Sequence, residues 1–324
     1  MSKAIRLHET GGPEVMRWEP VKLSEPTGVE LRVRHTAIGL NYIDIYHRGG
    51  SYPVPLPSGL GVEAVAVVEA VGKDATDFEV GDRIVYAGGP PGAYASERLI
   101  PAARAIKLPP GLGDEAAASA FFKGLTVEYL IHRCYPVQEK DVVLWHAAAG
   151  GVGLLACQWL KRKGATVIGT VSNEAKQQRA LAAGCTAVIN YRSEDFVSRV
   201  DELTEGKLAS VVYDSVGKDT IIGSINCLRP RGTLVSFGTV SGPTPEIDLA
   251  LLGARGSLFA TRASIAHYTA NRAEFELAAR RVFDALHEGT IRVDAPTVYP
   301  LEEVAQAHHD VQSGLTIGSV VLMP

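Results

Sequence analysis

The sequence predicts an α/β protein, with a doubly wound, parallel, six-stranded sheet joined to a second, β-rich domain. The first observation is the stretch V-V-L-W-H-A-A-A-G-G-V-G at Val142–Gly153, an apolar strand that runs into a glycine-rich turn and then a helix. The second is the alternation of strand-like and helical patterns after that turn. The third is the length of 324 residues, which exceeds the length that a single hydrophobic core usually supports.

The residues before Lys123 have the pattern of a compact β domain. Val29–Ile38 alternates in part between apolar and polar residues, as a half-buried strand does, and Ala64–Val71 is a longer apolar run. Turn signals separate these runs. Between them, the prolines and glycines of Pro53–Gly61 predict an extended loop of the kind that often lines a site.

A helix is predicted over Asp114–Arg133, with a break near Lys123–Gly124. Strands and helices then alternate, which builds a parallel sheet of the Rossmann type. The six strands are predicted at Val142–Trp145, Thr166–Val171, Ala187–Asn190, Ala209–Asp214, Thr233–Phe237 and Ser257–Ala260. The helices between the first five are predicted at Leu154–Lys163, Glu174–Ala183, Ser193–Thr204 and Lys218–Leu228.

The C-terminal tail has too little apolar sequence for a core of its own. We therefore expect it to complete the N-terminal domain and to leave a cleft beside the sheet. The predicted domains are residues 1–123 with 264–324, and residues 124–263. The tail's predicted elements are a helix at Arg272–His287, a strand near Thr297, a short helix at Leu301–Ser313 and a last strand at Gly318–Leu322.

Composition and charge limit the possible functions. Hydrophobic residues at 46% and charged residues at 21% are typical of a globular protein, and the net charge of −4 gives no general attraction to nucleic acid or anionic membranes. No apolar run approaches the roughly 20 residues of a membrane span, and the N-terminus lacks a signal-peptide core. The four cysteines are widely spaced without C-x-x-C, which predicts free thiols in a reducing, cytoplasmic setting.

The glycine-rich turn predicts a dinucleotide site, because a helix N-terminus presents free N–H groups and a partial positive charge to a pyrophosphate. In the pattern G-x-G-x-x-G, Ala148 takes the first position, and Gly150 and Gly153 take the other two. Ala148 is therefore expected to make the tight turn without glycine's freedom. Gly150, Gly151 and Val152 supply the N–H groups in this interpretation. The alternative is a strand-to-helix turn that serves packing alone.

The residues after the second strand favour NADPH over NADH. NAD-binding proteins usually carry an acid there for the ribose 2′-OH. Here the strand ends in T-V-S-N, and Ser172 can donate a hydrogen bond to a 2′-phosphate. Lys176 and Arg179 follow within two helical turns, and Tyr191 lies just after the third strand. Glu174 is the alternative acid, although a negative charge also suits a helix start.

Six motifs in order along the chain carry a resemblance to a known family. They are G-L-N-Y-I-D-I-Y at Gly39, P-S-G-L-G-V-E at Pro57, E-V-G-D-R-I-V-Y at Glu79, K-G-L-T-V at Lys123, H-A-A-A-G-G-V-G at His146 and V-Y-D-S-V-G at Val212. Together they resemble the NADPH:quinone oxidoreductases of the medium-chain dehydrogenase/reductase superfamily, in the zinc-independent, zeta-crystallin-like branch. The resemblance covers essentially the whole chain and implies a GroES-like catalytic domain beside the Rossmann domain. The family's A-x-x-G-x-x-G is met by Ala147, Gly150 and Gly153.

A zinc site is not expected. The zinc-dependent alcohol dehydrogenases of the superfamily have a cysteine near the position of Asn41, and a G-H-E motif that here reads G-V-E and ends at Glu63. No cysteine lies in the first 133 residues, and Glu63 alone cannot supply the three or four ligands that zinc needs. Among the histidines, His146 is predicted to be a packed strand residue, and His308–His309 to lie on the surface.

Without zinc ligands to supply a Lewis acid, the sequence favours an acceptor that takes a hydride readily. A quinone qualifies because its reduction makes an aromatic ring, and an enone reduced at its C=C bond is the alternative. NADPH is the cofactor in both. A crystallin-like or RNA-binding protein that keeps the nucleotide site is a further alternative, which the acidic charge disfavours. The stretch A-R-G-S-L-F-A-T-R from Ala254 predicts an exposed sheet edge and a homodimer through the nucleotide-binding domains, as the resemblance also implies.

The resemblance also implies site residues. Asn41 and Tyr46 are implied beside the nicotinamide, where Asn41 bonds the carboxamide or ribose and Tyr46 orients or protonates the acceptor. A packing role alone is the alternative for Tyr46. Ser172, Lys176 and Tyr191 are implied at the adenosine 2′-phosphate. The other implied cofactor contacts are Thr126, Ala148, Gly150, Gly151, Val152, Ser215, Phe237, Gly238, Thr239, Phe259, Thr261, Arg262, Gly318 and Ser319.

Overall fold

The computed structural model describes residues 2–324, which divide into two compact units. The N-terminal unit holds the residues up to Lys123 together with Val293–Pro324, and the central unit holds Gly124–Arg292. We expected the chain to return to the N-terminal unit at residue 264. Instead, residues 264–292 belong to the central unit.

Strands and helices follow the predicted order along the chain. The strands are β1 (Lys3–Leu7), β2 (Met16–Pro20), β3 (Glu30–Leu40), β4 (Ser58–Gly59), β5 (Glu63–Val71), β6 (Arg83–Ala87), β7 (Glu97–Pro101), β8 (Ala105–Lys107), β9 (Val142–Trp145), β10 (Thr166–Val171), β11 (Ala187–Asn190), β12 (Ala209–Asp214), β13 (Leu228–Ser236), β14 (Phe259–Arg262), β15 (Thr297–Pro300) and β16 (Val320–Met323). The α-helices are α1 (Tyr42–Gly49), α2 (Asp114–Tyr129), α3 (Gly151–Arg162), α4 (Glu174–Ala182), α5 (Phe196–Leu203), α6 (Ile221–Asn226), α7 (Leu249–Ala254), α8 (Ile265–Tyr268), α9 (Arg272–His287) and α10 (Val304–Gln312). Within residues 2–324, every helix is too short or too polar to cross a membrane.

The N-terminal unit is organised around β3, its longest strand. β3 lies inside a seven-stranded sheet of order β15-β16-β3-β5-β6-β8, and β7 also pairs with it. The predicted alternation holds, since Leu31 and Val33 are fully buried whereas Arg34 is exposed. A second, antiparallel sheet has the order β2-β1-β4. Apolar residues of both sheets and of α10 share one hydrophobic core.

The central unit confirms the predicted parallel sheet. Its six strands have the order β11-β10-β9-β12-β13-β14, and every pairing is parallel. The carboxyl ends of all six strands therefore meet at one edge, where ligands bind in sheets of this kind. β14 begins two residues later than predicted, because Gly256 and Ser257 have φ angles of 111° and 56° and extend the preceding turn.

The predicted break in α2 at Lys123–Gly124 is wrong. The helix continues through Gly124 to Tyr129 and ends in a π-helical turn at Leu130–Cys134. A Cβ on Gly124 would lie 2.7 Å from Cγ1 of Val282 on α9. The glycine therefore allows close helix packing rather than ending the helix.

The packing of α9 explains why residues 264–292 stay in the central unit. The helix has the predicted bounds and buries Phe275, Ala278 and Val282. Nη1 of Arg281 on α9 also donates to Oε1 of the fully buried Glu128 on α2, at 2.7 Å. An apolar face and a buried carboxylate together hold this helix beside α2.

Candidate functional site

The turn between β9 and α3 has the predicted strand–turn–helix geometry, with one correction. Ala147, not Ala148, takes the left-handed conformation, with φ 54°. Ala148 is fully buried, and its N–H donates to the carbonyl of Thr170 at 3.1 Å. The tight turn therefore comes one residue earlier, because Ala148 is needed for contact with β10.

Glycine is required at Gly153 but not at Gly150 by the backbone geometry of the turn. Gly150 is the N-cap of α3 with ordinary extended angles, φ −76° and ψ 168°. A Cβ on Gly153 would lie 2.4 Å from the carbonyl oxygen of Ala147, so only glycine fits there. The first hydrogen bond of the helix runs from Leu154 N–H to the carbonyl of Gly150 at 2.9 Å. The amides of Gly151 and Val152 precede it, at a helix end suited to an anion.

Ser172, Tyr191 and Lys176 come together at the ends of β10 and β11. Tyr191 N–H donates to the carbonyl of Val171 at 3.1 Å, which brings Tyr191 next to Ser172. Asn173 is the N-cap of α4, and its Oδ1 accepts a hydrogen bond from Lys176 N–H at 2.9 Å. Burial and the charge of Arg192 lower the pKa of the Lys176 ammonium. Arg192 is a cation that the sequence analysis did not include.

The ends of β12 and β13 form a second group. Oδ1 of the buried Asp214 accepts hydrogen bonds from the N–H groups of Val216 and Gly217, both at 2.9 Å, and so fixes the turn that carries Ser215. A Cβ on Gly238 would lie 2.5 Å from the carbonyl oxygen of Ser215, so the turns after the two strands touch. Phe237 and Thr239 flank that glycine and are half-buried.

Thr261 and Arg262 end β14, whereas Phe259 does not lie with them. Arg262 Nη1 donates to Oγ of Ser236 at 3.2 Å and to the carbonyl of Gly238 at 3.1 Å. Phe259 pairs with Thr233, three residues back from the strand end, and is 63% exposed at the edge of the sheet. All three residues lie within β14 rather than after it.

Thr126 and His146 are buried in the central unit. Thr126 lies on α2. His146 was predicted to be a packed residue, and this is confirmed: its Nδ1 lies 2.9 Å from Oγ1 of Thr170, and its Nε2 lies 2.9 Å from Oγ of Ser224.

In the N-terminal unit, Asn41 joins the end of β3 to α1. Its Nδ2 donates to Oε2 of the buried Glu63 at 2.8 Å, and its N–H donates to Oδ2 of Asp44 at 2.9 Å. Tyr46 follows on the same helix, largely buried, with its ring 5.1 Å from that of Tyr42 and 4.9 Å from that of Tyr52. The polar side chains of Asn41 and Asp44 and the aromatic ring of Tyr46 thus belong to the same short helix and its N-cap.

Gly318 and Ser319 lie beside Asn41. Gly318 has φ 78°, and the antiparallel pairing of Val320 with Leu40 brings Ser319 next to Asn41. Ser319 Oγ donates to the carbonyl of Ser119 at 2.9 Å, which joins the tail to α2.

Both oxygens of Glu63 accept hydrogen bonds from the protein. Oε1 accepts from Phe122 N–H at 2.6 Å, and Oε2 accepts from Asn41. Burial raises the pKa of Glu63, which the charge of Lys123 opposes. In the part of the chain that the structure describes, no group of three or more His, Cys, Asp or Glu residues is arranged to hold a metal ion.

His308 is fully buried, so its prediction as a surface residue is wrong, whereas His309 is exposed. Nδ1 of His308 lies 3.1 Å from Nη1 of Arg48, and Nε2 of His308 lies 3.1 Å from the hydroxyl of Tyr94. The sequence carried a signal for this burial. His308 follows the buried Val304 by four residues and Ala307 by one, which places it on the apolar face of α10.

Comparisons with known proteins agree with this architecture. The family model described as alcohol dehydrogenase GroES-like domain matches residues 27–110, and the model described as zinc-binding dehydrogenase matches residues 151–284. A quinone oxidoreductase of Salmonella typhimurium is 47% identical over 100% of both chains. This chain belongs to the quinone oxidoreductase family. It therefore has the GroES-like and Rossmann-type domains that the resemblance implied.

Two further proteins to which this chain is similar are informative. The crystal structure of Escherichia coli quinone oxidoreductase complexed with NADPH matches with a TM-score of 0.97 at 46% identity, over 99% of this chain and 100% of that one. A 2-haloacrylate reductase of Burkholderia sp is 45% identical over 100% of this chain and 99% of that protein. A protein with a second named activity is thus similar to this chain at nearly the same identity.

Proposed function

We propose that this chain is an NADPH-dependent quinone reductase. The observation that carries the proposal is full-length similarity, at 47% identity, to a protein named quinone oxidoreductase. The site residues of the central unit support it. Most of them lie at the carboxyl ends of the parallel strands, where a dinucleotide binds in this fold.

The central unit fits the cofactor's phosphates. The amides of Gly151 and Val152 at the start of α3 suit the pyrophosphate, and the 2′-phosphate suits Ser172 and Lys176. Arg192 belongs in the same set, because its charge lowers the pKa of Lys176, and a phosphate dianion relieves that repulsion. Tyr191 lies next to Ser172 and suits the adenosine. The remaining proposed cofactor contacts are Thr126, Ala148, Gly150, Ser215, Phe237, Gly238, Thr239, Thr261, Arg262, Gly318 and Ser319. Phe259 is the least favoured proposed contact, because it lies three residues back from the end of β14.

In the N-terminal unit, we assign the orientation of the nicotinamide and of the acceptor to Asn41 and Tyr46. NADPH, when bound, supplies a hydride. Glu63 accepts a hydrogen bond from Asn41 and so fixes its amide, which we assign to the carboxamide or ribose of the cofactor. We assign to the hydroxyl of Tyr46 the orientation of the acceptor or the transfer of a proton to it. A quinone needs little electrophilic activation, because its reduction forms an aromatic ring.

Reduction of an electron-poor C=C bond is the second candidate function. It is favoured by the 45% identity to a 2-haloacrylate reductase over essentially the whole length of both proteins. The test is to follow NADPH oxidation with a naphthoquinone, an enone and 2-chloroacrylate as separate acceptors. Faster turnover of the naphthoquinone supports the main proposal, and faster turnover of either alkene replaces it with the second. NADPH binding without turnover of any acceptor contradicts both and returns the crystallin-like or RNA-binding alternative, which a gel shift at low salt then tests.

We also propose a cytoplasmic homodimer. The four cysteines within residues 2–324 are free thiols, as expected in a reducing compartment. β14 is the edge strand of the parallel sheet, and its residues are exposed. Phe259 on this strand and Leu249 nearby in the chain are 63% and 79% exposed, which suits a partner subunit.

A further inference from the structure

Four buried side chains form a continuous hydrogen-bonded series in the N-terminal unit. Nη1 of Arg48 lies 3.1 Å from Nδ1 of His308, and Nε2 of His308 lies 3.1 Å from the hydroxyl of Tyr94. That hydroxyl donates to Oδ2 of Asp44 at 2.8 Å. Arg48 and Asp44 belong to α1, His308 to α10, and Tyr94 to the segment between β6 and β7. All four are buried, and none has a part in the proposed reaction so far.

The chemistry of these groups fixes the direction of every hydrogen bond. A guanidinium can only donate, so Nδ1 of His308 must accept from Arg48. Burial and the charge of Arg48 lower the pKa of His308 to about 3, so the ring is neutral and its single proton lies on Nε2. Nε2 therefore donates to the oxygen of Tyr94, which leaves the tyrosine proton for Asp44. The series presents a donor to Asp44 and stabilises its ionised form.

Asp44 needs this support because its surroundings oppose ionisation. Burial raises its pKa to about 7, and the charge of Glu63 on β5 contributes to the rise. The hydrogen bonds from Asn41 N–H and Tyr94, and the charge of Lys123 on α2, lower it. Oδ1 of Asp44 is buried without a hydrogen-bond partner among the described residues. Near neutral pH, the Asp44 carboxyl therefore populates both its protonated and its ionised form.

We propose that Tyr94, His308 and Arg48 are positioning residues that stabilise the ionised form of Asp44 at the start of α1 and so hold Asn41 and Tyr46 in their working arrangement. The role in turnover rests on the proposed reductase function, whereas the control of Asp44 does not. Ionised Asp44 accepts the N–H of Asn41 more strongly and suits the positive end of the helix. When Asp44 takes up a proton, this restraint on Asn41 weakens, because a neutral carboxyl is a poorer acceptor than a carboxylate.

The first experiment does not depend on activity. NMR of the full-length protein labelled with ¹³C-aspartate and ¹⁵N follows the Asp44 carboxyl and the Asn41 amide against pH, with Asp44→Asn to assign the signals. Tyr94→Phe should raise the midpoint of both titrations by about one pH unit, because a hydrogen bond to the charged form is lost. His308→Phe should raise both in the same direction.

Tyr86→Phe is the matched control. Tyr86 is also fully buried, and its hydroxyl contacts Nε2 of a buried histidine, His35, at 2.8 Å, but it makes no hydrogen bond to Asp44. It should leave both midpoints unchanged. An unchanged midpoint in Tyr94→Phe, or an equal shift in Tyr86→Phe, overturns the proposal.

The second experiment tests the consequence for turnover. In Tyr94→Phe, the acid limb of the pH profile of kcat with a naphthoquinone should move upward by the shift that NMR gives, while the dissociation constant of NADPH changes less than about twofold. A shifted Asp44 titration with an unmoved acid limb overturns the positioning role. If the wild-type protein reduces no acceptor, the proposed function fails, and the Asn41 amide titration still decides whether Asp44 controls Asn41.

Discussion

Burial lowers the pKa of Lys176, and the positive charge of the neighbouring Arg192 lowers it further. Two like charges held together without an anion cost free energy, which a bound phosphate recovers. This relationship gives the strongest physical reason to expect NADPH rather than NADH. It also makes the preference testable at both residues.

Lys176→Glu should weaken NADPH binding by roughly 100-fold, about 2.7 kcal/mol, and NADH binding by less than about threefold. The reason is that the 2′-phosphate alone distinguishes the two cofactors. Titration of cofactor fluorescence measures both constants. Lys207→Glu makes the same charge change on an exposed residue just before β12, at the amino-terminal ends of the strands and away from the cofactor site. It should leave the ratio of the two dissociation constants unchanged. An equal loss for both cofactors would remove Lys176 from the 2′-phosphate.

Arg192→Gln should weaken NADPH binding by about tenfold, because one of two cations near the phosphate is removed. It should also raise the pKa of Lys176, since the arginine charge contributes to its depression. NMR of the lysine side chain and the same fluorescence titration measure the two effects. If Lys176 titrates as before, the two charges are not coupled.

Much of the fold could be predicted from the sequence because periodicity and glycine placement are local. The six strands and the direction of their pairing follow from the repeated strand–helix pattern. Contacts between distant segments did not follow from the residues themselves; only the resemblance implied Tyr191, the neighbour of Arg192, at the same phosphate as Lys176. Arg192 is 16 positions from Lys176, and only the pairing of β10 with β11 brings their neighbourhoods together. The burial of His308 could have been predicted from its spacing to Val304, whereas its partners, Arg48 and Tyr94, could not, because they lie more than 200 residues earlier.

Gly153→Ala should destabilise the protein by about 1–3 kcal/mol and weaken NADPH binding, because the new methyl group would lie 2.4 Å from the carbonyl oxygen of Ala147. Gly150→Ala is the matched control. There the nearest atom to the new methyl is 3.3 Å away and φ is −76°, which alanine adopts readily. Urea unfolding compares the pair, and cofactor titration is made on Gly153→Ala alone, because Gly150 is itself a proposed cofactor contact. Equal effects would mean that the close approach at Gly153 is not what requires glycine.

Asp44→Asn should make the protein more stable at about pH 8 and less active. The folded-state pKa of Asp44, about 7, is above its value of about 3.9 in the unfolded chain. The folded protein therefore binds the proton more tightly, so this stabilisation is complete below about pH 4 and is lost as pH rises to about 7. Removing the ionisable group should gain on the order of 3 kcal/mol at about pH 8, and little at about pH 4. Unfolding free energies at the two pH values measure the difference, and a gain independent of pH would contradict the raised pKa.

Phe259→Lys should convert the proposed dimer to a monomer. β14 has one free edge in the sheet, and Phe259 exposes 63% of its surface there, so a lysine would place charge in the interface. Light scattering after size-exclusion chromatography gives the mass, and Leu181→Lys, at a 38% exposed position on α4, is the control. A dimer mass for Phe259→Lys would move the interface away from β14, and a monomer mass for the wild type would contradict the dimer itself.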